Sequence, residues 1–598
     1  MAAGSAPFRF GERWKRYRGH THGLPLPTMV GDITVGRVAL AHFVRLDAAL
    51  GAELSQAHPP PVPPSPMPIQ FAERLGFWII ALLRAARVPC ATQALILAGT
   101  SQGEKQGHFQ IAFGLERAEA LGAVLRWLAP FAETVFRERV PPGKARAAVA
   151  AHMQQLRPYR ALGVNRYHLA VNAIEAGHPY RALDASLQVI GTGRYRRLFH
   201  SSSTEATSSI GMGIARDKAR TAALLGAFGM PMPRQAPAPD AKAAAAAAEA
   251  MGYPVVIKPA DQDGGLGVAA GLADAAAVGA AYAEAARHSK RVMVEEHVPG
   301  QTHRFTVCAG EVIRLVRRRP GGVVGNGRDT VAELLSLQLR ERGTARGTRS
   351  HSETAVSLDA EALQLLADSG MTPASVPERD EFVRLRRRDN RSQGGTNEEL
   401  EISDSHCDNL ALALDAAAIL KLDIAGVDLI STDISRSWRE TGAKICEVNS
   451  VPQIGGNTSS VYSRMLARLF HDGSRIPVRL QIAPAETCAD AGHLARICQA
   501  PTDGAASAAG VCLGGRMIGA ACESGFSAAH ALLLMPGIAR AVIVMSPEEL
   551  ARTGLPLDRV DRAEVLAFAK FPPKEQHMIP QLWPLLDLPG QAPAGEAP

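Results

Sequence analysis

The chain has 598 residues, of which 46% are hydrophobic and 21% are charged, and its formal net charge is +7. This length predicts about three or four domains, and the composition is that of an ordinary globular protein with a sizeable core. The mild positive charge does not indicate a nucleic-acid-binding protein. No apolar stretch is long enough to span a membrane, so we expect neither nucleic acid nor a membrane as a partner.

The predicted elements begin with helices at residues 72–87 and 115–137, which flank a region that also contains a proline-rich loop at 58–68. From residue 218 onward, helices and strands alternate: helix 218–229, loop 230–239, helix 241–251, strand 254–258, helix 273–288, strand 291–295, helix 408–421, and strands 426–431 and 443–449. This alternation predicts a multidomain fold with α/β and α+β parts.

The first candidate functional segment is YPVVIKPADQDGGLGVAA, in which a strand ends at Lys258 and a loop with Gly264, Gly265 and Gly267 follows. Glycines let backbone N–H groups approach phosphate oxygens, and a lysine beside them supplies a positive charge. An ordinary turn is the alternative. Lys218 lies forty residues earlier, and it is either a second phosphate ligand or a solvated surface lysine.

The second segment is VMVEEHVPG, a strand that ends at Glu295 and Glu296 and is followed by Val298. An adenine base needs one acceptor for its amino group and one backbone donor for a ring nitrogen. Glu295 and the Val298 amide can provide both, although a rim charge is an equal alternative for Glu295 taken singly.

The third segment joins Asp428, in IAGVDLI, to Glu447 and Asn449, in KICEVNSVPQIGG. Residues two apart on a strand face the same side, so Glu447 and Asn449 project together, and a neighbouring strand can add Asp428. Two carboxylates and an amide oxygen are hard ligands that suit Mg²⁺. The sequence therefore predicts a magnesium site, with a polar strand end as the alternative.

In this order the segments resemble the ATP-grasp superfamily and, more narrowly, the cyanophycin synthetase family. The resemblance covers roughly residues 191–452, and LRRRDNRSQGGTN narrows it because it is similar to a signature of that family. It implies a ligase that uses ATP and Mg²⁺ to activate a carboxylate as an acyl phosphate and couples it to an amine. A cytoplasmic location is expected separately, because the first residues lack the pattern of a signal peptide and the cysteines are scattered.

The resemblance also implies a role for each matching residue. Lys218 and Lys258 would bind the nucleotide phosphates under the glycine loop, while Glu295, Glu296 and Val298 would surround the adenine. Arg304 and Lys258 would act in catalysis, with Arg304 stabilising the transferred phosphoryl group. The carboxylate substrate would be received by Ser392, Gly394 and Gly395, and the metal would be held by Asp428, Glu447 and Asn449.

Departures from the family pattern are equally specific. Thr302 replaces an acidic residue expected near the ribose, and Arg388, Asp389, Arg391 and Gln393 replace mostly small or neutral residues of the substrate signature. After Ser474 the sequence resembles a Mur-ligase-like domain but contains no Gly-Lys-Thr/Ser phosphate loop. We therefore expect residues 1–160 to form an N-terminal cyanophycin-synthetase-like domain, 161–473 the ATP-grasp domain, 474–588 a degenerate Mur-ligase-like remnant and 589–598 a disordered tail.

Three functions remain open. The chain extends a cyanophycin-like aspartate/arginine peptide, by adding aspartate or joining β-aspartyl-arginine units; or it joins a small amino acid to an amine; or it is a non-catalytic partner of a full-length synthetase. We also expect a homo-oligomer, a dimer or a tetramer. The eight cysteines lack zinc-ligand spacing and predict free thiols. His20 and His22, in RGHTHG, are expected in a surface loop, and His406–Cys407 is expected to be incidental.

Overall fold

The computed structural model describes residues 7–54, 57–64, 67–101, 106–138, 140–261, 267–344, 356–386, 394–455, 459–519 and 522–590. Its contacts divide the chain into two compact units. The first unit combines Met1–His200 with Phe470–Pro598, and the second unit is Ser201–Leu469. The predicted division into four regions stays a prediction, because compactness alone does not define a domain of a particular family. Gln591–Pro598, within the predicted tail, lies outside the described residues.

The N-terminal part of the first unit is an antiparallel sheet packed against helices. Its elements are β1 (Phe8–Arg16), β2 (Thr28–Val35), α1 (Leu40–Gly51), α2 (Pro68–Ala85), β3 (Leu95–Ser101), β4 (Gly107–Gly114), α3 (Ala118–Arg137), α4 (Pro142–Gln155), α5 (Val164–Glu175), β5 (Tyr180–Ala182), β6 (Leu187–Ile190) and β7 (Arg197–His200). The strand order is β1-β2-β4-β3. Fully buried Phe71, Trp78 and Leu121 lie in its core, so the apolar periodicity that predicts α2 and α3 marks their buried faces.

The second unit contains two larger antiparallel sheets and a two-stranded one. Its elements are β8 (Ser203–Thr204), α6 (Ser209–Ala215), α7 (Lys218–Ala227), β9 (Gln235–Ala238), α8 (Ala241–Met251), β10 (Val255–Pro259), β11 (Ala269–Leu272), α9 (Ala275–His288), β12 (Val292–Glu296), β13 (Gln301–Cys308), β14 (Glu311–Arg319), β15 (Gly322–Val324), α10 (Val331–Thr344), α11 (Ala360–Asp368), β16 (Phe382–Arg384), β17 (Thr396–Leu400), α12 (Cys407–Ile419), β18 (Ile424–Ser431), α13 (Trp438–Thr441), β19 (Lys444–Asn449) and α14 (Ser459–Leu469). The sheet orders are β11-β10-β12-β9, β17-β14-β13-β18-β19 and β15-β16.

The predicted helices and strands of this unit are confirmed to within a few residues, with one exception. The loop prediction for residues 230–239 is wrong for Gln235–Ala238, which form β9 beside β12. β9 lies at the edge of its sheet, where Pro237 is tolerated because an edge strand leaves some N–H positions unpaired. The prolines therefore hide a strand from sequence reasoning.

The C-terminal part of the first unit is built on a mostly parallel sheet. Its elements are β20 (Val478–Ile482), α15 (Ala485–Cys488), α16 (Ala491–Ile497), β21 (Asp503–Ser507), β22 (Gly510–Leu513), β23 (Arg516–Ile518), α17 (Gly525–Leu533), β24 (Arg540–Met545), α18 (Pro547–Thr553), β25 (Arg562–Val565) and α19 (Pro573–Leu586). The strand order is β23-β22-β21-β24-β20-β25, and β21, β24, β20 and β25 pair in parallel.

Backbone hydrogen bonds tie the two parts of the first unit together. Gly19 N donates to Thr553 O at 2.8 Å, and His20 and Leu555 exchange N–H···O bonds of 2.8 and 2.9 Å. His20 is only 8% exposed, so the surface-loop prediction is wrong for this residue. The local sequence does not reveal this burial because the covering residues lie more than 500 positions away. In the described part of the chain, no helix combines the length and apolar character that a membrane crossing requires.

Candidate active site

The five-stranded sheet of the second unit has one apolar face and one charged face. In one row across the sheet, Phe305, Val427 and Val448 lie side by side, are almost fully buried, and belong to one hydrophobic core together with α12. In the next row, Arg304 lies opposite Asp428, which lies opposite Glu447. Since successive residues of a strand point to opposite faces, burying the first row projects the second row away from the core.

Asp428 is the centre of the charged row and is 1% exposed. Arg304 contacts both of its carboxylate oxygens, with Nη2 donating to Oδ2 at 2.7 Å, and Arg318 Nη2 lies 3.4 Å from Oδ2. Burial alone would raise the pKa of Asp428, but Arg304 and Arg318 outweigh it and hold the pKa below its usual value. Asp428 is therefore ionised at neutral pH.

Glu447 and Asn449 lie on the same side of β19, opposite Asp428 and Gly426, as the sequence predicts from their spacing. Lys218 Nζ lies 3.6 Å from Glu447 Oε1. The side-chain nitrogen of Asn449 is buried and has no hydrogen-bond partner among the described residues. A half-turn of the amide would present its oxygen instead. Two carboxylates and one unpaired amide are a donor set that fits Mg²⁺.

Lys218 begins α7, and Asp217 caps that helix by accepting from the N–H groups of Ala219 and Arg220 at 3.1 Å. The Lys218 N–H points to Ala260 O at 3.5 Å, at the end of β10. The start of α7 therefore lies between the end of β10 and the Glu447 end of the charged row. The structure brings Lys218 to the predicted metal ligands.

Lys258 and Glu295 form a buried pair on the four-stranded sheet. Each residue is about one-twentieth exposed, Lys258 Nζ contacts Glu295 Oε2, and Gln235 also donates to that oxygen. An ammonium has three donors, so this contact leaves Lys258 able to bind a phosphate oxygen as well. Val298 is 8% exposed, and its amide has no hydrogen-bond partner among the described residues. This amide is a suitable donor for a base.

Glu296 is engaged differently from Glu295. It accepts from Lys444 Nζ at 2.7 Å, and from the Arg234 backbone N–H at 3.1 Å. Burial alone would raise the pKa of Glu296, but Lys444 and Arg234 lower it. These contacts tie β12 to β19 and to the segment before β9, so they support the positions of Glu295 and Glu447.

The predicted glycine loop is described only at its end. Gly264 and Gly265 lie outside the described residues. Gly267 has φ of +69°, and a Cβ there would lie 3.0 Å from Pro259 Cγ and 3.1 Å from His288 Cδ2. Its conformation and the close approach of β10 and α9 therefore explain this glycine without a phosphate.

The predicted substrate loop is also partly described. Ser392 and the substituted Arg388, Asp389, Arg391 and Gln393 lie outside the described residues. Gly394 and Gly395 are buried immediately before β17, which pairs with β14. Gly394 has φ of +86°, a left-handed conformation that favours glycine.

Two neighbours of the charged row are missed by sequence reasoning. Arg318 lies two residues beyond Val316, which pairs with Arg304, and so it shares the charged face. Arg314 and Arg318 in IRLVRRR are four residues apart on a strand and so share one face, which is a signal that could have found Arg318. Cys446 is the extra residue of a bulge between β18 and β19, and its Sγ donates to Asp428 O at 3.4 Å. Burial, with Asp428 and Glu447 adding, raises the pKa of Cys446 well above its usual value, so this thiol stays protonated.

His406, Cys407 and Asp408 place their ligand atoms within 4.8 Å of one another at the start of α12. Their polar atoms have local structural roles. His406 Nδ1 accepts from the Asp408 N–H at 3.2 Å, and Asp408 Oδ2 accepts from Ser437 Oγ. Helix capping accounts for this cluster.

Two family models match the second unit. One, described as an ATP-grasp domain, matches residues 214–308, and the other, a RimK-like ATP-grasp domain, matches residues 383–465. The cyanophycin synthetase of Trichormus variabilis is 30% identical over 424 residues, which is 68% of this chain and 47% of the relative. The second unit therefore contains sequence of the ATP-grasp type, and the chain is a homologue of the cyanophycin synthetases.

Other relatives agree with this kinship. The cyanophycin synthetase of Nostoc sp. gives the same identity and coverage. This chain therefore spans about half the length of the curated relatives it matches. The glutathione biosynthesis bifunctional protein of Mannheimia succiniciproducens is 34% identical over 189 residues, 31% of this chain and 25% of that protein.

Solved structures that are similar to this chain include a bifunctional glutathione synthetase from Pasteurella multocida. It has 18% sequence identity and a TM-score of 0.39, and the alignment covers 61% of this chain and 64% of that one. A D-alanine–D-alanine ligase from Bacillus anthracis has 13% identity and a TM-score of 0.29, with coverages of 44% and 68%.

Proposed function

We propose that the chain is an ATP-dependent carboxylate–amine ligase that forms an amide bond through an acyl phosphate at a single ATP-grasp site. The observation that carries this proposal is the row Arg304–Asp428–Glu447, which has Lys218 at one end and, beside it, the Asn449 amide, whose nitrogen has no partner among the described residues. The row places two adjacent carboxylates between Arg304 and Lys218 on a largely buried sheet face, where charges cost free energy unless matching charges offset them. Phosphates and a divalent cation supply the matching charges.

The nucleotide would lie between the charged row and the Lys258–Glu295 pair. Lys218 and Lys258 bind its phosphates. Glu295 accepts from the adenine amino group, and the Val298 amide donates to a ring nitrogen. Glu296 supports this region through Lys444 and Arg234.

Asp428, Glu447 and Asn449 would hold Mg²⁺. When bound, the ion neutralises phosphate charge that the protein's own lysines leave uncompensated. Arg304 keeps Asp428 ionised and oriented, and its remaining N–H groups are available to the transferred phosphoryl group.

In the proposed reaction, a substrate carboxylate oxygen attacks the γ-phosphorus of ATP and the bond to the β-phosphate oxygen breaks, which gives an acyl phosphate and ADP. An amine then attacks the acyl carbon, phosphate leaves, and the amine loses a proton. Ser392, Gly394 and Gly395 position the carboxylate, and Arg304 stabilises the charge that develops. Cys446 takes no covalent part because its thiol stays protonated.

The kinship with cyanophycin synthetases favours a cyanophycin-like aspartate/arginine peptide as the substrate, extended by aspartate or by β-aspartyl-arginine units. We also propose that the protein is cytoplasmic and forms a homo-oligomer. We propose further that the chain divides into an N-terminal domain (1–160), an ATP-grasp domain (161–473) and a remnant that binds no nucleotide (474–588). The remnant's strand β20 is followed by Ala-Pro-Ala-Glu, without the lysine of a phosphate loop.

A phosphate-release assay tests this function. Full-length protein with ATP and Mg²⁺ is offered aspartate, arginine, β-aspartyl-arginine and short cyanophycin primers, singly and in pairs. We expect release only when a primer and an amine are both present, with the product identified by mass spectrometry.

Two variants control this assay. Glu447→Gln removes a predicted metal ligand, whereas Glu440→Gln changes a 57%-exposed glutamate that pairs only with Arg436 among the described residues. Release that survives in Glu447→Gln contradicts the site. Release with free amino acids alone indicates a small-molecule ligase, and no release with any pair indicates a non-catalytic partner.

A further inference from the structure

A concave pocket lies in the first unit, which contains none of the residues assigned above to the candidate active site. It encloses about 430 Å³ including its open mouth. Its walls come from three distant stretches of the chain, at His20, at β5 and β6, and at residues 530–558. Val189, Leu533 and Leu557 supply apolar wall, and Arg181 supplies a cation.

Arg181 is partly buried and makes no side-chain hydrogen bond or ion pair with any described residue. Burial lowers the pKa of its guanidinium, and no carboxylate in the part of the chain that the structure describes acts against that effect. Taking a charge out of water without a counter-ion costs free energy. An anionic ligand would offset this cost.

Among the described residues of the pocket wall, the one acid, Asp558, is already neutralised. Arg475 contacts both of its carboxylate oxygens, with Nη1 donating to Oδ1 at 2.7 Å, and both side chains are less than one-fifth exposed. Arg475 also donates to Gly177 O at 2.8 Å, which holds it in place. Asp558 therefore belongs to another pair and leaves Arg181 uncompensated.

The two histidines of the pocket add no charge at neutral pH. Burial, with Arg181 and His20 adding, lowers the pKa of His530 to about 3, and burial lowers the pKa of His20. His530 Nε2 lies 2.9 Å from Pro556 O, and His20 Nδ1 lies 3.1 Å from Leu24 O. In each neutral ring the nitrogen beside the carbonyl carries the proton.

We propose that the Arg181 pocket binds an organic monocarboxylate. A planar guanidinium matches a carboxylate in geometry, and its single charge matches a monoanion better than a phosphate dianion. The apolar wall of Val189, Leu533 and Leu557 suits an aliphatic part of the same ligand. Two sources share this chemistry, a free small acid and the C-terminal carboxylate of a peptide.

Calorimetric titration of the full-length protein tests the proposal with butyrate, trialanine, trialanine amide, butyramide and inorganic phosphate as probes. We expect butyrate or trialanine to bind and the two amides not to bind. Butyrate without trialanine identifies a free acid as the source, and trialanine without butyrate identifies a peptide end.

Arg181→Gln should weaken this binding by ~10-fold or more, because a charge-assisted bidentate contact is lost. Arg181→Lys should restore part of it. Arg18→Gln is the matched control, since Arg18 is an exposed arginine whose guanidinium lies over the Phe526 ring. ATP-dependent phosphate release should be unchanged in Arg181→Gln, which separates this pocket from the ATP-grasp site.

The proposal is overturned if wild-type protein binds no carboxylate, if phosphate binds more tightly than every carboxylate, or if Arg181→Gln binds as wild type does. If Arg181→Gln does not fold, the carboxylate affinity of Arg181→Lys decides alone, and we expect that affinity to lie below the affinity of the wild type. A folded Arg304→Gln variant tests whether the calorimetric signal arises at the ATP-grasp site. Unchanged affinity for butyrate and trialanine in this variant excludes that site as the source, and lost affinity contradicts the proposal.

Discussion

Arg304 and Asp428 lie directly opposite each other on β13 and β18, and the guanidinium contacts both oxygens of the carboxylate. Both side chains are at least nine-tenths buried. A buried pair of this kind contributes little net stability, because desolvation offsets the Coulomb attraction. Its consequence here is positional, since it holds an ionised carboxylate beside Glu447 at the proposed metal site.

The first prediction concerns that carboxylate row. Glu447→Gln should lower phosphate release by ~100-fold or more, since loss of one preorganised electrostatic group typically has this effect. The neutral amide keeps the size of the side chain, so the thermal unfolding midpoint should change little. A loss of release in the surface variant Glu440→Gln would show that the assay reports general damage instead.

The second prediction concerns pH. Arg304 and Arg318 depress the pKa of Asp428, so its ionised form is present above that pKa and is lost as the pH falls through it. Arg318→Gln removes one of these cations and raises the pKa. The acid limb of kcat/KM for ATP should therefore move to higher pH.

Arg317→Gln is the matched control for this pH profile. Arg317 is on the same strand but on the other face, where it donates to Glu398 at 3.2 Å. An acid limb that is unmoved in Arg318→Gln, or moved equally in both variants, would contradict the assignment.

The third prediction concerns two glycines of α6. A Cβ at Gly211 would lie 1.8 Å from the carbonyl oxygen of Leu420, whereas a Cβ at Gly213 has nothing within 4 Å. Gly211→Ala should destabilise the second unit by ~1–3 kcal/mol, the usual cost of overpacking. Gly213→Ala should stabilise it by ~0.5–1 kcal/mol, since alanine favours a helix more than glycine does.

Thermal unfolding of the two alanine variants measures this difference. Equal midpoints would mean that α6 does not pack against Leu420 in solution.

The fourth prediction concerns thiol reactivity. Cys446 has a pKa well above its usual value, and only the thiolate reacts with iodoacetamide. At pH 8 Cys446 should be alkylated far more slowly than the exposed Cys407. Peptide mass spectrometry over a time course gives both rates from one sample, and comparable rates would contradict the raised pKa of Cys446.

Local sequence was sufficient for most helices and strands of the second unit and for part of the site. The two-residue period of a strand places Glu447 and Asn449 on one face, and the ends of α7, β10 and β12 follow from local patterns. Sequence reasoning failed at β9, because Pro237 and the prolines that flank the strand are typical of a loop, and only pairing with β12 makes the segment a strand.

Side-chain type and strand period are local properties, so the residues that are chemically suited to phosphates and a divalent cation can be found from the amino-acid order alone. Which of these residues come into contact depends on the folded chain. Strand register places Asp428 opposite Glu447, and Arg318 contacts Asp428 from a third strand. Arg181 lines a pocket together with His20 and Asp558. Such meetings depend on hydrophobic burial and pairing between segments up to several hundred residues apart, which no local pattern records.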